Sequence, residues 1–536
     1  METGAVMVVQ PVTGQGVRTL LAGRRRWVLT ALIVLMLTLA LWWSRWHGLD
    51  YPAQLYRVGL VHRQGFSVWD ANWYGGHYTP AYGVLVPWIG SVVGLSATAI
   101  ISTLSSVVLF ERLLTHARLP HVVAGTSAFT LMMLINMYEG RLPFALGVML
   151  GLLAITVARR GHWWLTGVAA LLTTLASPVA GAFLALAFAA WALSLPWDSF
   201  RVLVRMPQVA VAALAFFTTS AISLTFPEGG YFPYGWVDLL LGLGACAVAI
   251  WVLPASQSAL RWGFVLVVIA AIPLWAIANP MGGNLSRLAV IGAPLLLAVP
   301  RRNVRVHVLV GLVLLGWQMK PLLHLPAAVE DPSASRSYYQ PLVDQLKMRT
   351  SSPVRLEIPT TVGHWEAAYV APAFPLARGW ERQLDLRYNA ILYDETMTAT
   401  QYQNWLLTNG VSYVAIPDAT LEPEAQHEAV VAANAPFLHE VWTNAHWRLF
   451  AVAGSPHLTS GPADLLSLRD GRVALDVTGT SAVTIRMRYT SHLEVAHGHG
   501  CLSASPDGWT ILEPTKPGHF LLRTALIPEQ PAACNP

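Results

Sequence analysis

One carboxylate, Asp50, stands just after the first long apolar stretch, in the run Trp46-His47-Gly48-Leu49-Asp50-Tyr51-Pro52. The chain continues through Arg57 and Arg63 to Trp69-Asp70-Ala71-Asn72-Trp73-Tyr74-Gly75-Gly76-His77-Tyr78. A second short run, Glu139-Gly140-Arg141, sits between two later apolar stretches, and Arg287 stands alone further on. A carboxylate can deprotonate a hydroxyl or hold a divalent cation. Arginine clamps phosphate through a bidentate fork. Trp and Tyr stack on sugar faces or lie at the level of lipid headgroups. On these types Asp50 and Glu139 are the candidate catalytic acids. Arg57, Arg63, Trp69, Asp70, His77, Arg141 and Arg287 are candidate substrate contacts.

Each has a plainer role beside the chemical one. Trp42, Trp43, Trp46, Trp69 and Trp73 suit an interfacial aromatic belt. Arg57 and Arg63 could meet lipid phosphates, and Glu139 with Arg141 could be a local ion pair. Asp70 before Ala71-Asn72 suits a turn or helix cap, and Asp50 beside Pro52 suits the cap of a juxtamembrane helix. His77 has no partner at metal-ligand spacing, so no metal site is assigned. A divalent ion such as Mg or Mn stays open as a cofactor, with no adjacent pair of acids to hold it.

The elements that position these residues follow from composition. Of 536 residues 54% are hydrophobic and only 12% charged, against about 25% charged in soluble domains. Mean hydropathy is +0.48. The apolar residues concentrate before about residue 320, in runs of membrane-spanning length. The expected organisation is a cytoplasmic N-terminus 1–26, a transmembrane domain 27–320, a linker 321–336, an α/β domain 337–454 and a small β-rich domain 455–536. About eleven spans are expected: 27–43, 83–110, 121–138, 142–158, 163–177, 180–196, 208–226, 237–254, 262–278, 286–299 and 304–320. Arg24-Arg25-Arg26 lead into the first span with no small-residue cleavage site after it, which reads as a retained helix. The net charge of +5 reflects basic loops, not nucleic-acid binding.

Charge also sets the expected sidedness. The stretch 83–110 is long for one helix and short for two. A single crossing places Arg112, Arg118, Arg159-Arg160, Arg201, Arg205, Arg261 and Arg301-Arg302 on the side of the N-terminus, as the positive-inside rule requires. Residues near 81–95 are then a tilted or re-entrant lead-in. Loop 44–80, the turns near Glu139 and Ser177, the loops Pro227–Pro233 and Asn279–Asn284, and everything after 320 fall outside.

Gly48-Leu49-Asp50, the stretch through Gln54-Leu55-Tyr56-Arg57, Gly65-Phe66-Ser67-Val68-Trp69, and Glu139-Gly140-Arg141-Leu142-Pro143 together resemble bacterial multi-pass proteins of the GT-C glycosyltransferase superfamily. They are similar in particular to the group called "6-pyruvoyl-tetrahydropterin synthase-related" membrane proteins, a label that implies no pterin chemistry here. The resemblance spans roughly residues 20–320 as architecture. It implies sugar transfer from a polyprenyl-phosphate donor on the outer face, with inversion. The first-loop acid of that family maps onto Asp50, as base or metal ligand. Two adjacent acids are common in such loops, but Tyr51 follows Asp50. Glu139 would be the second acid, and Arg141 or Arg287 the contact to donor phosphate.

In the C-terminal part, Val354–Ile358 alternates like a strand, Gln401–Asn409 reads as a helix and Val411–Ile416 as a strand. Short alternating runs after Gly471 suggest a β-sandwich. Cys501 and Cys534 could pair in an oxidising compartment or stay as thiols. His364-Trp365-Glu366-Ala367 and Arg378-Gly379-Trp380-Glu381 mix aromatic rings with both charges. Trp365, Glu366, Arg378 and Trp380 are therefore candidate carbohydrate contacts, or a surface that docks on the membrane part.

The expected function is an integral glycosyltransferase of a bacterial plasma membrane, with an actinobacterial-type envelope. It would move a sugar from polyprenyl phosphate to an envelope glycan, lipid or protein acceptor outside the cytoplasm. A non-catalytic assembly protein that binds lipid-linked glycan predicts binding without turnover. A transporter would call for ionisable residues or broken helices at the midplane, and no charge falls mid-span.

Overall fold

The computed structural model describes residues 14–195, 202–299, 304–329, 331–469, 471–529 and Cys534. Of the basic clusters behind the expected sidedness, Arg201 and Arg301-Arg302 lie outside the described residues, as do the side chains of Arg24, Arg25 and Arg205.

Among the described residues up to Gln318 the regular elements are helices apart from one short hairpin. Helix α1 (Gly14–Ser44) is followed by α2 (Tyr51–Gln64) and the hairpin of β1 (Trp69–Asp70) and β2 (His77–Tyr78). Then come α3 (Leu85–Val93), α4 (Leu95–His116), α5 (Val122–Glu139), α6 (Leu142–Ala158) and α7 (Trp163–Ala176). The bundle continues with α8 (Pro178–Ser194), α9 (Val202–Thr225), α10 (Trp236–Val252), α11 (Ser258–Ala276), α12 (Ala289–Ala298) and α13 (Val304–Gln318). Among the described residues five helices are long and apolar enough to cross a bilayer, and six further apolar helices are shorter. Outward faces of the bundle carry bare apolar side chains, among them Met36, Trp43, Phe217, Leu224, Trp251 and Ile269. Water would penalise so broad an apolar belt, whereas acyl chains accept it. This is a membrane protein.

The stretch 83–110 resolves into two helices. Gly94, at φ 87°, ends α3 and starts α4. At about 1.5 Å per residue the nine residues of α3 reach only about 14 Å, far short of a hydrocarbon core of about 30 Å. The 22 residues of α4 reach about 33 Å. So α3 lies at one end of the bundle, and α4 alone has the length to cross.

Helix ends sort into two groups. At one end Arg26 Nε donates to Glu111 Oε1 at 2.8 Å, and the His121 amide bonds the Ala298 carbonyl at 3.1 Å. At the other, the Gly48 amide bonds the Tyr138 carbonyl at 2.7 Å and the Val84 amide the Leu175 carbonyl at 2.9 Å. Helix α2 does not join the bundle as a span. Its Val58 packs on Val86 and Leu95 of the bundle, while Ala53, Tyr56 and Leu60 enter the core of the C-terminal region. It is a saddle between the two parts.

The segment 321–336 is not an open linker. It winds into 3-10 turns and α14 (Leu325–Val329), begun by prolines at first helical positions and by Asp331, whose side chain caps Ser333. After it come α15 (Arg336–Arg349), β3 (Arg355–Glu357), α16 (Glu366–Tyr369), α17 (Arg382–Tyr388), α18 (Ala399–Thr408), β4 (Val411–Pro417), α19 (Ala425–Asn434), β5 (Leu438–Thr443) and β6 (Trp447–Val452). Their sheet has order β3-β4-β6-β5, with β3 parallel to β4 and the remaining pairs antiparallel. Eight strands follow: β7 (Thr459–Ser460), β8 (Ala463–Arg469), β9 (Arg472–Val477), β10 (Val483–Arg488), β11 (Leu493–His497), β12 (Gly500–Ala504), β13 (Trp509–Pro514) and β14 (Gly518–Thr524). They form two antiparallel sheets, β12-β13-β10-β7 and β11-β14-β9-β8, over one apolar core. Cys501 and Cys534 are joined in a disulfide, and Cys246 is a buried thiol.

Candidate active site at the junction of the two regions

Two glycine-bearing segments meet backbone to backbone. The Asp50 amide donates to the Glu139 carbonyl at 2.9 Å, next to the Gly48–Tyr138 bond. A Cβ on Gly48 would stand 2.7 Å from the Glu139 Cα and 2.4 Å from its Oε2. Gly140 has φ 85°, and a Cβ there would stand 2.3 Å from the Tyr51 amide nitrogen. Without side chains at 48 and 140 the two segments close, and the two acids arrive together. The neighbouring acid that Tyr51 denies Asp50 in sequence is supplied across space by Glu139.

Asp50 precedes α2, yet its side chain caps nothing. Its Oδ2 lies 3.5 Å from Arg141 Nε and 3.7 Å from Arg287 Nη2. Arg141 also reaches Glu139, with Nη2 3.6 Å from Oε1. These are ion-pair separations longer than the 2.7–3.2 Å of an N–H···O bond. Asp50 Oδ2 and Glu139 Oε2 are buried and have no hydrogen-bond partner. Buried carboxylate oxygens are normally satisfied, so two together mark a place built to receive donors. Tyr82 lies close by, its hydroxyl pushed up to about 12 by burial and then by the charge of Asp50.

The other predicted residues fall elsewhere. Arg57 is buried in an ion pair with Glu381 of the C-terminal region and stacks over the Tyr82 ring at 4.0 Å. Trp380 donates its indole N–H to the Leu49 carbonyl at 2.7 Å. With Tyr74 donating to the Glu381 carbonyl at 3.0 Å and Trp73 to the Ala367 carbonyl at 3.2 Å, these contacts clamp the C-terminal region onto loop 44–80. Trp380 thus makes a docking contact, and Arg57, expected at a substrate or at lipid phosphates, instead pairs with Glu381 in the interior.

Asp70, His77 and Trp69 face inward instead of forming an open sugar platform. Asp70 accepts from the Tyr56 hydroxyl at 2.6 Å, and burial lifts its carboxyl to about 6. His77 stacks on Trp73 at 5.1 Å, and burial pushes it down to about 3. Trp69 meets Tyr78 edge-on at 4.7 Å and is only 4% exposed. The reason is the hairpin turn: Gly76 brings the backbone against the Trp69 indole and folds the rings into a core. Arg378 is likewise interior, paired to Asp385 through Nε at 3.1 Å and to Glu428 at 2.9 Å. Glu366 accepts from the Thr361 hydroxyl at 2.7 Å and neighbours His364. Arg63 is exposed over the Tyr56 ring and lines a groove of about 340 Å³ with Arg336 and Lys347. Trp365 stacks on Tyr369 at 5.5 Å.

Two residues next to the predicted ones that sequence reasoning did not single out are Tyr82, beside Asp50, and Glu381, paired with Arg57. Both are single residues in mixed runs, and only their long-range partners, Asp50 and Arg57, single them out.

An apolar cavity of about 470 Å³ runs inside the bundle, lined by Val148, Leu184, Phe264 and Leu295 among others. At one end its lining includes Leu285, Ser286 and Leu288, the residues that flank Arg287; at the other it includes Leu119 and Arg159. The cavity therefore runs from the segment that carries Arg287 to the opposite end of the helices, and the four charged residues of the cluster are not part of its lining.

The donor set fits a divalent metal poorly. Each carboxylate of the cluster already faces a guanidinium, and two acids balance two arginines. Among the described residues the one tight trio of metal-ligand types is Cys501, Glu513 and Cys534, and its two sulfurs are bonded to each other.

No family model and no curated protein matches the chain. Among solved structures it is similar to the crystal structure of the Archaeoglobus fulgidus oligosaccharyltransferase tethered with an acceptor peptide, at TM-score 0.37 and 11% identity over 73% of this chain and 69% of that one. It is similar also to the archaeal oligosaccharyltransferase AglB from Archaeoglobus fulgidus in complex with an inhibitory peptide and a dolichol-phosphate, at TM-score 0.38 and 12% identity over 74% and 70%. Likeness at this level decides neither fold nor activity.

Proposed function

We propose that the chain is a membrane glycosyltransferase that moves a sugar from a polyprenyl-phosphate donor to a hydroxyl acceptor on the extracytoplasmic face. The observation that carries this reading is the cluster itself. Two buried carboxylates whose oxygens lack hydrogen bonds sit among two arginines, and an apolar cavity of the bundle reaches Ser286 and Leu288 on either side of Arg287. The cavity suits a prenyl chain, and Arg287 with Arg141 suits the phosphate it carries. The arginines sit at loose ion-pair distance from Asp50, so an incoming phosphate can take their donors.

In this reading Asp50 accepts the proton of the acceptor hydroxyl. The oxygen forms its bond to the anomeric carbon as the bond from that carbon to the phosphate oxygen breaks. Polyprenyl phosphate leaves with the electron pair, its charge met by the two guanidiniums. The opposed faces of attack and departure give inversion. The outer location is supported by the basic Arg26 at the far end of the apolar span Arg26–Ser44 and by the Cys501–Cys534 disulfide, which suits an oxidising compartment.

Purified full-length protein in nanodiscs, given radiolabelled polyprenyl-phosphate sugars and envelope acceptors, should transfer label. Asp50→Asn should lower turnover by about 100-fold or more with the donor still bound. Wild-type turnover in that variant would remove Asp50 from the base role. Donor binding with no turnover in the unaltered protein would favour an assembly protein that holds lipid-linked glycan.

A further inference from the structure

Strand β14 ends at Thr524, and the chain then turns through Ala525-Leu526-Ile527-Pro528-Glu529. Two adjacent aliphatic side chains on this loop are bare: Leu526 is 50% exposed and Ile527 82%. A single exposed apolar residue is ordinary. A neighbouring pair at a loop tip is not, because loops are normally polar.

The tip is tied down on both sides. The Ala525 amide donates to the His492 carbonyl at 2.9 Å. The His492 ring donates back through Nδ1 to the Ala525 and Leu526 carbonyls, at 3.2 and 3.1 Å. Past the tip, the Glu529 amide donates to Glu494 Oε2 at 2.7 Å, and Glu494 Oε1 pairs with Arg523. Pro528 fixes its own φ and keeps Ile527 before it extended. The backbone is thus turned toward His492 and Glu494, and the two aliphatic side chains are what the loop presents outward.

The same His492 ring lies against the membrane part. It stands 5.8 Å from the Phe226 ring and meets Tyr78 edge-on at 5.8 Å. Phe226 directly follows α9, which ends at Thr225, and it packs on Val68, Trp69 and Tyr78 of the hairpin. Leu224, two residues earlier, is 81% exposed and belongs to the bare apolar belt. One imidazole therefore separates the rim of that belt from the carbonyl of Leu526. The loop continues the belt onto the β-sandwich.

We propose that Leu526 and Ile527 dip into the outer leaflet, so that this loop is a lipid-contacting foot of the β-sandwich. The occupant is the bilayer, because the patch is small and continuous with a surface that already meets acyl chains. The sandwich is then held at two points. One is the hairpin, where the Thr490 and Tyr78 hydroxyls bond at 2.9 Å and Arg488 Nε donates to the Tyr74 carbonyl at 2.9 Å. The other is the leaflet itself. This holds whether or not the chain transfers a sugar.

The test places a nitroxide spin label on one introduced cysteine of the full chain in nanodiscs. The native cysteines are a buried thiol and a disulfide, so the label reaches the new one. Ile527→Cys is the test position and Leu224→Cys the lipid reference. Lys516→Cys, in the turn at the other end of β14, is the water reference. Each label is relaxed by oxygen, which concentrates among acyl chains, or by a water-soluble nickel chelate. Oxygen should prevail at the Ile527→Cys label, as at Leu224→Cys, while the chelate prevails at Lys516→Cys. Adding His492→Ala should shift the Ile527→Cys label toward the water reference. A label that already responds like Lys516→Cys overturns the proposal. So does one shielded from both reagents, the response of a patch covered by protein. A lipid-like response that His492→Ala leaves unchanged overturns the role given to His492.

Discussion

Gly48 and Gly140 act on the site without touching a substrate. At Gly140 both the left-handed backbone and the Tyr51 amide exclude a side chain. Gly161, at φ 79°, shares the backbone strain but has open space around it. The pair separates strain from crowding. Gly161→Ala should cost about 1–2 kcal/mol of stability, the left-handed penalty alone. Gly140→Ala should cost clearly more and should also impair turnover, because it pushes Tyr51 and Asp50 away from Glu139. Equal unfolding shifts for the two would mean that the close approach contributes nothing. Both runs were legible as motifs in the sequence. That they touch was not, because no local pattern links residue 50 to residue 139.

Among elements, α2 decides how the two regions are joined. One face meets the bundle at Val58 and the other meets the C-terminal core at Tyr56 and Leu60. Its Arg57 is the cation of a buried pair with Glu381. Glu228, from the loop before α10, lies near the same pair, and burial followed by the charge of Glu381 holds its carboxyl well above the usual range. Removing one partner of such a pair leaves an uncompensated buried charge, at a cost of about 3–5 kcal/mol. Arg57→Ala should therefore lower the unfolding midpoint sharply and expose the junction to protease. Arg57→Ala with Glu381→Ala should recover much of that loss. A double variant as unstable as the single would show that the guanidinium acts through Tyr82 and Trp380 and not through charge. The short helix α3 carries a related lesson. An apolar run from 83 to 110 does not reveal a break, because Gly94 is tolerated inside many helices; here it adopts φ 87°, which a continuous helix cannot hold.

For the whole molecule, the buried histidines and the buried carboxyls pull stability in opposite senses as pH falls. His47 is pushed from 6.5 to about 4 and His77 to about 3, both first by burial. A depressed imidazole favours the folded state fully above about 6.5, and that contribution fades as pH falls toward the folded value. For His47 that contribution is about 3 kcal/mol. Asp70 acts in the opposite sense: its carboxyl, raised to about 6, favours folding below its ordinary value near 3.8 and loses that contribution as pH rises through 6. The carboxyls of Glu357, Glu366, Glu381 and Glu428, raised by burial, act in the same sense as Asp70. The histidine contribution is therefore read by difference: as pH falls from 7 to 4.5 the unfolding midpoint of the unaltered protein should lose ground relative to that of His47→Gln. A difference that stays constant over that range would contradict the assignment.

By itself the sequence determined that this chain lives in a membrane, since helices with outward apolar faces have no other solvent. Periodicity and hydropathy are local properties, so the apolar helices after Leu95 were readable to within about six residues. The acids and arginines of the cluster were readable as types, because charge at a helix end is conspicuous among apolar neighbours. Only the tertiary structure decided which of them meet. It paired Asp50 with Glu139 and drew Arg141 and Arg287 to them. It sent Arg57 and Trp380 to the docking surface, and it buried Trp69, Asp70 and His77 in a hairpin core. It also joined Cys501 to Cys534. These outcomes depend on backbone approach at Gly48, Gly76 and Gly140 and on contacts hundreds of residues apart, which the linear order of side chains does not encode locally.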